Sequence, residues 1–168
     1  MSSIVLGNEV AHASDTDKPI VALESTLISH GLPEPYNLEA AKDAETVVRN
    51  NGAIPATIAV IKGQIRVGLS VDELEILATS KSILKLSRNN LATAIVKKMT
   101  GATTVAATMI CAHKAGINVF ATGGIGGVHR GWQKSLDIST DLSELMRTPV
   151  TVICSGAKSL LDLPATIE

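Results

Sequence analysis

The stretch Ile117-Asn-Val-Phe-Ala-Thr-Gly-Gly-Ile-Gly-Gly-Val-His-Arg-Gly131 decides the fold class, because an apolar run of strand length passes directly into a glycine-rich loop. Similar short apolar runs recur along the chain and alternate with segments of helical periodicity. This alternation predicts an α/β fold with three α/β/α layers, in which helices cover both faces of a largely parallel central sheet. The clearest predicted elements are the strands Ile20–Leu23, Ile54–Ile61, Gln64–Leu69 and Val150–Cys154, and the helices Leu38–Asn50, Ser70–Thr79 and Thr103–Ala115. Lys62-Gly63 predicts a hairpin turn between the second and third of these strands, and Ser70-Val-Asp-Glu73 has the form of a capping box at the start of a helix.

The organisation of the chain is that of one domain, because 168 residues lie within the usual length of a single domain. Residues 1–18 are polar and weakly periodic, so we expect an N-terminal arm or a short helix there. Residues 19–168 form the α/β domain. The segment Pro164–Glu168 comes directly after a strand, a loop and the start of a helix. We therefore expect the domain to be truncated at its C-terminal end.

Composition excludes several classes of protein. With 45% hydrophobic and 18% charged residues, the chain can bury an ordinary core and is not disordered. Fifteen basic against sixteen acidic residues provide no field for attracting nucleic acid. The longest apolar stretch, Val105–Ala112, is broken by Thr108 and is too short to span a membrane, and we do not expect the first residues to act as a secretory signal, because they lack basic residues before a short apolar run. Cys111 and Cys154 show no metal-ligand spacing, so we expect reduced, buried thiols in a soluble cytoplasmic protein with neither nucleic-acid nor membrane partners.

Polar residues that follow predicted strands are the first candidates for a site, because ligands of open α/β sheets bind beyond the carboxyl ends of the strands. Glu24 follows Ile20–Leu23, where partial desolvation favours a general acid. Alternatively, its carboxylate caps the backbone of the loop Ser25–Gly31. Lys158 follows the last strand, and a buried amine there would be nucleophilic. For Lys158 and Lys85 alike, the alternative is an ordinary solvated lysine.

The glycine-rich loop Thr122–Gly131 does not match a dinucleotide-binding fingerprint, because His129 stands where that motif needs glycine. Its backbone N–H groups and the adjacent Arg130 suit a phosphate or a metal-side loop. A tight structural turn is the alternative. Asp137 and Asp141, four residues apart, suit either a shared metal or one helix N-terminus.

Several motifs, taken together and in order, resemble one family. They cover the chain from about Pro19 to Leu163, and as a set they are highly specific. The family is that of the pseudouridine-5′-phosphate glycosidases, also called the indigoidine synthase A family. The motifs are Val21-Ala-Leu-Glu-Ser-Thr-Leu-Ile-Ser-His-Gly31, Gly101-Ala-Thr-Thr-Val-Ala106, Val119 to Gly131, Asp137-Ile-Ser139 and Ser155-Gly-Ala-Lys-Ser159.

This resemblance implies a homotrimeric, manganese-dependent α/β/α enzyme that splits pseudouridine 5′-phosphate into uracil and ribose 5-phosphate. Glu24 falls on the proton donor, Lys158 on the Schiff-base nucleophile and Asp137 on the Mn²⁺ ligand of the family. His129 matches a site histidine on the substrate-binding side. The remaining substrate-binding positions fall on Lys85, Val105, Ser139, Thr140 and Asp141.

The implied reaction explains why an acid and an amine are needed. The sugar carbon C1′ is bonded to carbon, so the leaving group has no heteroatom lone pair to protonate, unlike that of an ordinary glycoside. An amine such as that of Lys158 can attack C1′ while an acid such as Glu24 opens the ring at its oxygen. The resulting iminium is an electron sink for carbon–carbon cleavage. A cation such as Lys85 suits the phosphate.

Two other functions fit the same residues. The same lysine could serve an aldolase-like phosphosugar enzyme with another carbonyl substrate, or the chain could be an inactive phosphosugar-binding fragment. Family members are longer than this chain. In addition, Ser87-Arg-Asn-Asn90 stands where the family usually has Ser-Arg-Arg-Asp, which removes one positive and one negative charge next to Lys85.

Overall fold

A computed structural model describes residues 4–168, which form eight strands, eight α-helices and one π-helical turn at Leu27–Gly31. The strands are β1 (Ile4–Leu6), β2 (Ile20–Leu23), β3 (Ile54–Ile61), β4 (Gln64–Val67), β5 (Leu84–Leu86), β6 (Gly101–Thr103), β7 (Val119–Ala121) and β8 (Thr151–Ile153). The helices are α1 (Asn8–Asp15), α2 (Tyr36–Asn50), α3 (Val71–Thr79), α4 (Arg88–Val96), α5 (Val105–Lys114), α6 (Trp132–Ser135), α7 (Thr140–Arg147) and α8 (Leu163–Ile167). Within these residues, no helix is both long and apolar enough to cross a membrane.

The strands form one mixed but mostly parallel sheet in the order β1-β4-β3-β2-β7-β8, with β6 also pairing with β3 and β5 pairing with β6. Only the β3–β4 and β3–β6 pairings are antiparallel among the described strands. The first of these follows from the predicted hairpin turn, where Lys62 and Gly63 both have positive φ, as a type I′ turn requires. The α/β class with a largely parallel sheet is thus confirmed.

Helices pack on both faces of β3, because successive side chains of a strand point to opposite sides. Ile58 and Val60 face one core cluster, whose helical members come from α1, α4 and α5. Ala59 faces the other cluster, with residues of α2, α3 and the π-helical turn. The six residues 55–60 are all buried. The three-layer arrangement is therefore complete around this strand.

Helical cover is incomplete at the other end of the sheet. Phe120 of β7 is buried, and its partner Val152 of β8 packs against the same core cluster. The side chains one position further on point to the opposite side, where Ile153 is 59% exposed. We call this side of β2, β7 and β8 the open face; it is formed by Val21, Leu23, Val119, Ala121, Thr151 and Ile153.

Several element boundaries differ from the expectations. The predicted helix Thr103–Ala115 begins only at Val105, because residues 101–103 form β6 between β3 and β5. The predicted loop after Glu24 contains the π-helical turn. Within residues 1–18, the expected short helix is α1, and β1 was not predicted. Residues 1–3 of the expected arm lie outside the described part of the chain.

Candidate active site

A cavity of about 1100 Å³ lies at the carboxyl ends of β2, β5, β7 and β8 and continues along the open face. The loops that follow these parallel strands meet there, as expected for an open α/β sheet. All nine residues that the sequence analysis singled out line this one cavity: Glu24, Lys85, Val105, His129, Asp137, Ser139, Thr140, Asp141 and Lys158. Their individual roles remain predictions.

Glu24 is held by two hydroxyl groups. The Thr26 hydroxyl donates to one carboxylate oxygen and the Thr122 hydroxyl donates to the other. The next residue is anchored in the core, because the buried Ser25 hydroxyl donates to the carbonyl of Ile58 at 2.6 Å. The alternative that Glu24 caps the backbone of its own loop is wrong, since both oxygens accept from side chains. The carboxylate is therefore fixed in orientation at the edge of the cavity.

Lys158 is exposed rather than buried, which corrects the expectation of a buried amine. Its backbone is nevertheless fixed, because Lys158 N donates to the Ile125 carbonyl at 3.1 Å and Ile125 N donates to the Gly156 carbonyl at 3.0 Å. The side-chain stem runs past Gly124, where an added Cβ would lie 3.3 Å from Lys158 Cγ. The loop therefore directs a solvent-accessible amine along the cavity wall.

The glycine-rich loop is a packed turn. Its amides at residues 125, 126, 128 and 129 donate to protein oxygens. A Cβ at Gly126 would lie 2.4 Å from the Ser139 hydroxyl oxygen, so only glycine fits there. The structural-turn interpretation is supported for this part of the loop, and these four amides do not form a phosphate cradle. Arg130 also turns away from such a role, because its Nε donates to the Leu161 carbonyl at 3.3 Å.

Asp137 and Asp141 line the same cavity but have different environments. Asp141 is 5% exposed, and its two oxygens accept from Ala106 N at 2.9 Å and Gly126 N at 2.8 Å. Asp137 is exposed, with an oxygen 3.8 Å from His129 Nδ1. Within residues 4–168, no group of three or more His, Cys, Asp or Glu side chains is arranged to hold a metal ion. Asp137 and His129 are the pair that faces the cavity.

Lys85 reaches the cavity from β5, and Ser87 from the turn between β5 and α4. Asn90 holds this turn, because its Oδ1 accepts from Ser87 N at 2.8 Å and its Nδ2 donates to the Lys85 carbonyl at 3.0 Å. An aspartate at this position would accept the first hydrogen bond but could not donate the second. The unusual Asn90 therefore keeps the local geometry without the family's charge.

Four further residues escaped the sequence analysis. Thr26 and Thr122 support Glu24, and Arg88 binds the buried carboxylate of Glu144. Burial disfavours ionisation of Glu144, but hydrogen bonds from Arg88 and Thr148 outweigh it, so the pKa of Glu144 lies below its ordinary value. Nothing in the sequence links Arg88 with Glu144, which lies 56 positions away. A hydroxyl side chain that follows a predicted strand is a signal that could have identified both threonines, since Thr26 comes shortly after β2 and Thr122 directly after β7.

Comparison with known proteins finds a family whose sequence model matches this chain. The sequence model of the family described as indigoidine synthase A like protein matches residues 9–168. A pseudouridine-5′-phosphate glycosidase of Glaesserella parasuis serovar 5 is 59% identical over 165 residues, which cover 98% of this chain and 55% of the relative. The enzyme of the same name from Staphylococcus aureus is 60% identical, with 54% of its length covered. This chain thus spans about half the length of these relatives.

Solved structures agree with this match. The prealnumycin C-glycosynthase AlnA in complex with ribulose 5-phosphate superposes with a TM-score of 0.89 at 42% identity, over 99% of this chain and 54% of AlnA. An indigoidine synthase A-like protein from Thermotoga maritima gives 0.85 at 32% identity, over 98% of this chain and 53% of that protein. The α/β architecture described above is therefore shared with both.

Proposed function

Because the chain belongs to the indigoidine synthase A-like family, we propose that it carries the acid and the nucleophile for cleavage of the C-glycosidic bond of pseudouridine 5′-phosphate. The products are uracil and ribose 5-phosphate. The relatives that bear this activity in their names are about twice as long as the matched region. The proposal therefore concerns what the residues of this chain contribute.

One observation carries the proposal: Glu24 and Lys158 line the same cavity as the residues expected to bind the phosphate and the sugar. Glu24 and Lys158 are 134 positions apart in sequence. Both line this cavity because β2, which precedes Glu24, pairs with β7, and β7 pairs with β8, which precedes Lys158. A carboxyl group and a primary amine are the two groups that opening and cleaving a C-linked pentose requires.

The proposed steps conserve atoms and electrons. The Lys158 nitrogen bonds to C1′, the bond from C1′ to the ring oxygen breaks, and Glu24 delivers a proton to that oxygen. The secondary ammonium then returns a proton to the Glu24 carboxylate, and the bond between C1′ and uracil C5 breaks as the freed nitrogen lone pair forms a C=N bond and C5 takes up a proton. Water hydrolyses the imine, which releases ribose 5-phosphate and restores Lys158. Glu24 is oriented for its step by the hydroxyls of Thr26 and Thr122.

For a hydrated manganese ion, one side of the cavity offers a single exposed carboxylate. Asp137 presents an exposed carboxylate there, with His129 Nδ1 3.8 Å away. Carboxylate and water oxygens suit Mn²⁺. In this proposal Asp137 would hold the ion, which when bound supplies positive charge that polarises a carbonyl group or a water molecule.

Uracil release tests the proposal directly. The chain is incubated with pseudouridine 5′-phosphate and Mn²⁺, and uracil is measured by chromatography. We expect Lys158→Ala to abolish release, whereas Lys81→Ala, an exposed lysine outside the cavity lining, retains it. Equal release from the two variants would contradict the role of Lys158. Absence of uracil with a folded chain completed to the length of its relatives would contradict the activity itself.

A second candidate is another Schiff-base phosphosugar reaction, aldolase-like in character. The complex of AlnA with ribulose 5-phosphate favours it, because that ligand is an open-chain pentose phosphate with a carbonyl group. Borohydride reduction in the presence of ribose 5-phosphate, followed by peptide mapping, separates the candidates. An adduct on Lys158 with uracil turnover supports the first candidate, and an adduct without turnover supports the second. Binding without an adduct indicates a phosphosugar-binding chain.

A further inference from the structure

Glu144 is a buried carboxylate that the proposed reaction does not use. Its side chain has no exposed surface, and it lies on α7. Arg88 of α4 donates to both of its oxygens, with Nη2 to Oε1 at 2.8 Å, and the Thr148 hydroxyl adds a third hydrogen bond. A carboxylate without water is costly unless it is paired and hydrogen-bonded in this way.

Both residues of this ion pair lie on segments that also carry residues lining the cavity. Arg88 immediately follows Ser87, which lines the cavity and belongs to the turn that Asn90 holds. On the other side, α7 begins at Thr140 and carries Asp141 in its first turn. The Asp141 carboxylate in turn binds the backbone of α5 and of the glycine-rich loop.

In the part of the chain that the structure describes, the Arg88–Glu144 pair makes the only side-chain hydrogen bonds between α4 and α7. Without it, the segment that carries Lys85 and Ser87 would be connected to the segment that carries Ser139 and Thr140 only indirectly, through the start of α5, where Thr104 N donates to the Leu86 carbonyl and Ala106 N donates to Asp141. The planar guanidinium fork fixes both the distance and the angle between the two helices.

We propose that Arg88 and Glu144 are positioning residues, which hold the Lys85 side and the Ser139 side of the cavity at the separation that a pentose phosphate requires. This inference rests on the proposed function for the identity of the ligand. A buried ion pair often contributes little net stability compared with apolar residues of similar volume. Loss of the pair should therefore affect ligand affinity and local order more than global stability.

The test compares Arg88→Met with Arg49→Met. The control removes a similar guanidinium fork, which binds Glu9 and Glu45, and none of these three residues lines the cavity. Each variant is examined by hydrogen exchange, by thermal unfolding and by calorimetric titration with ribose 5-phosphate. In Arg88→Met we expect faster exchange in residues 85–91 and 139–148, and a dissociation constant raised about tenfold, as when an orienting partner of a binding residue is removed. Arg88→Lys should restore part of the affinity. Arg49→Met should change neither the hydrogen exchange of residues 85–91 and 139–148 nor the affinity for ribose 5-phosphate.

A double variant, Arg88→Met with Glu144→Leu, guards against simple misfolding, because it removes both charges together. Retained thermal stability with weakened binding supports a positioning role. Unchanged exchange in both segments, or the same affinity change in Arg49→Met, overturns the inference. If the unaltered chain does not bind ribose 5-phosphate, the proposed function fails, and the exchange data still decide whether the pair orders the two segments.

Discussion

Strands β3 and β8 show how unevenly the sheet is covered. Six successive residues of β3 are buried between two helical layers, and Ile58 is 0% exposed. All three residues of β8 retain some exposure, and Ile153 is 59% exposed on the open face. Apolar burial provides most of the free energy of folding, so the β3 region should dominate stability. The candidate nucleophile, Lys158, follows the less covered strand.

This difference separates two tasks within one sheet. Regions with few buried contacts open locally at lower free energy than the core does. The β3 region can therefore fix the fold while the loops after β7 and β8 remain accessible to a ligand. The following predictions test that separation, beginning with the largest effect.

Truncation of one isoleucine in each strand should give very different results. Ile58→Ala leaves a cavity between two packed layers and should lower the free energy of unfolding by about 2–5 kcal/mol. Ile153→Ala removes atoms that are already largely in water and should lower it by less than about 0.5 kcal/mol. Urea unfolding followed by circular dichroism measures both. Equal losses would mean that β8 is covered in solution.

The two cysteines can be used to measure the same difference in burial between the core and the region around β8. Cys111 lies on α5 in the core, where burial raises the pKa of its thiol to about 12, although Lys114 opposes this slightly. Cys154 directly follows β8 and is partly exposed, which corrects the expectation that both thiols are buried. A thiol reagent at pH 8 should modify Cys154 more than tenfold faster than Cys111, because the thiolate is the reactive form.

The check is to count modified thiols with and without urea. One fast thiol in the native protein and two in urea are expected. Cys154→Ser should remove the fast phase, and Cys111→Ser should leave it unchanged. A fast phase that survives in Cys154→Ser would show that the core around α5 opens readily.

Acid should lower the free energy of unfolding through Glu9 of α1, which pairs with Arg49 of α2. The hydrogen bond from Arg49 lowers the pKa of Glu9 and outweighs the effect of burial. Because the folded-state pKa is lowered, this contribution is complete above the ordinary value of 4.5 and is lost as the pH falls through the folded-state value. Both side chains are nearly half exposed, so solvent screening keeps the effect below about 1 kcal/mol.

Thermal unfolding between pH 7 and pH 3 measures this contribution. The unaltered chain should lose more stability over that range than Glu9→Gln, since the variant has no carboxyl group to protonate at this position. Parallel curves for the two proteins would contradict the prediction.

The smallest effect on stability is expected for a charge on the open face. Ile153→Lys should change the free energy of unfolding by less than about 0.5 kcal/mol, because the position is exposed. It should nevertheless reduce binding of a hydrophobic dye and concentration-dependent association, since a lysine interrupts an exposed apolar patch. Val60→Lys, which places the same charge inside the core of β3, is the matched comparison and should not fold.

Much of the fold was predictable because it depends on local patterns. The capping box at Ser70 predicted α3, and the turn at Lys62 and Gly63 predicted the hairpin. The three-residue strands β1 and β6 were missed, because so short a segment has too few positions to show a period of two. Their identity comes from pairing with β4 on one side and with β3 and β5 on the other.

The candidate site was predictable as a set of residues but not as a geometry. The motifs identified nine cavity residues, whereas the contact of Thr122 with Glu24 and the pairing of Arg88 with Glu144 depend on contacts between distant segments. The exposure of Lys158 also depends on packing that composition does not specify. The manganese ion, the trimer, the Schiff base and the cytoplasmic location stay predictions.

The branching of β3 has a consequence for alignment of the strands. Its first four residues pair with β2, its last four pair with β4, and Ala59 and Val60 also pair with β6. A slip of β3 by a single residue would break three ladders at once and would turn Ile58 and Val60 into the space that fits Ala59. This strand is thus the reference against which its three partners are aligned, and so it indirectly fixes where Glu24 stands.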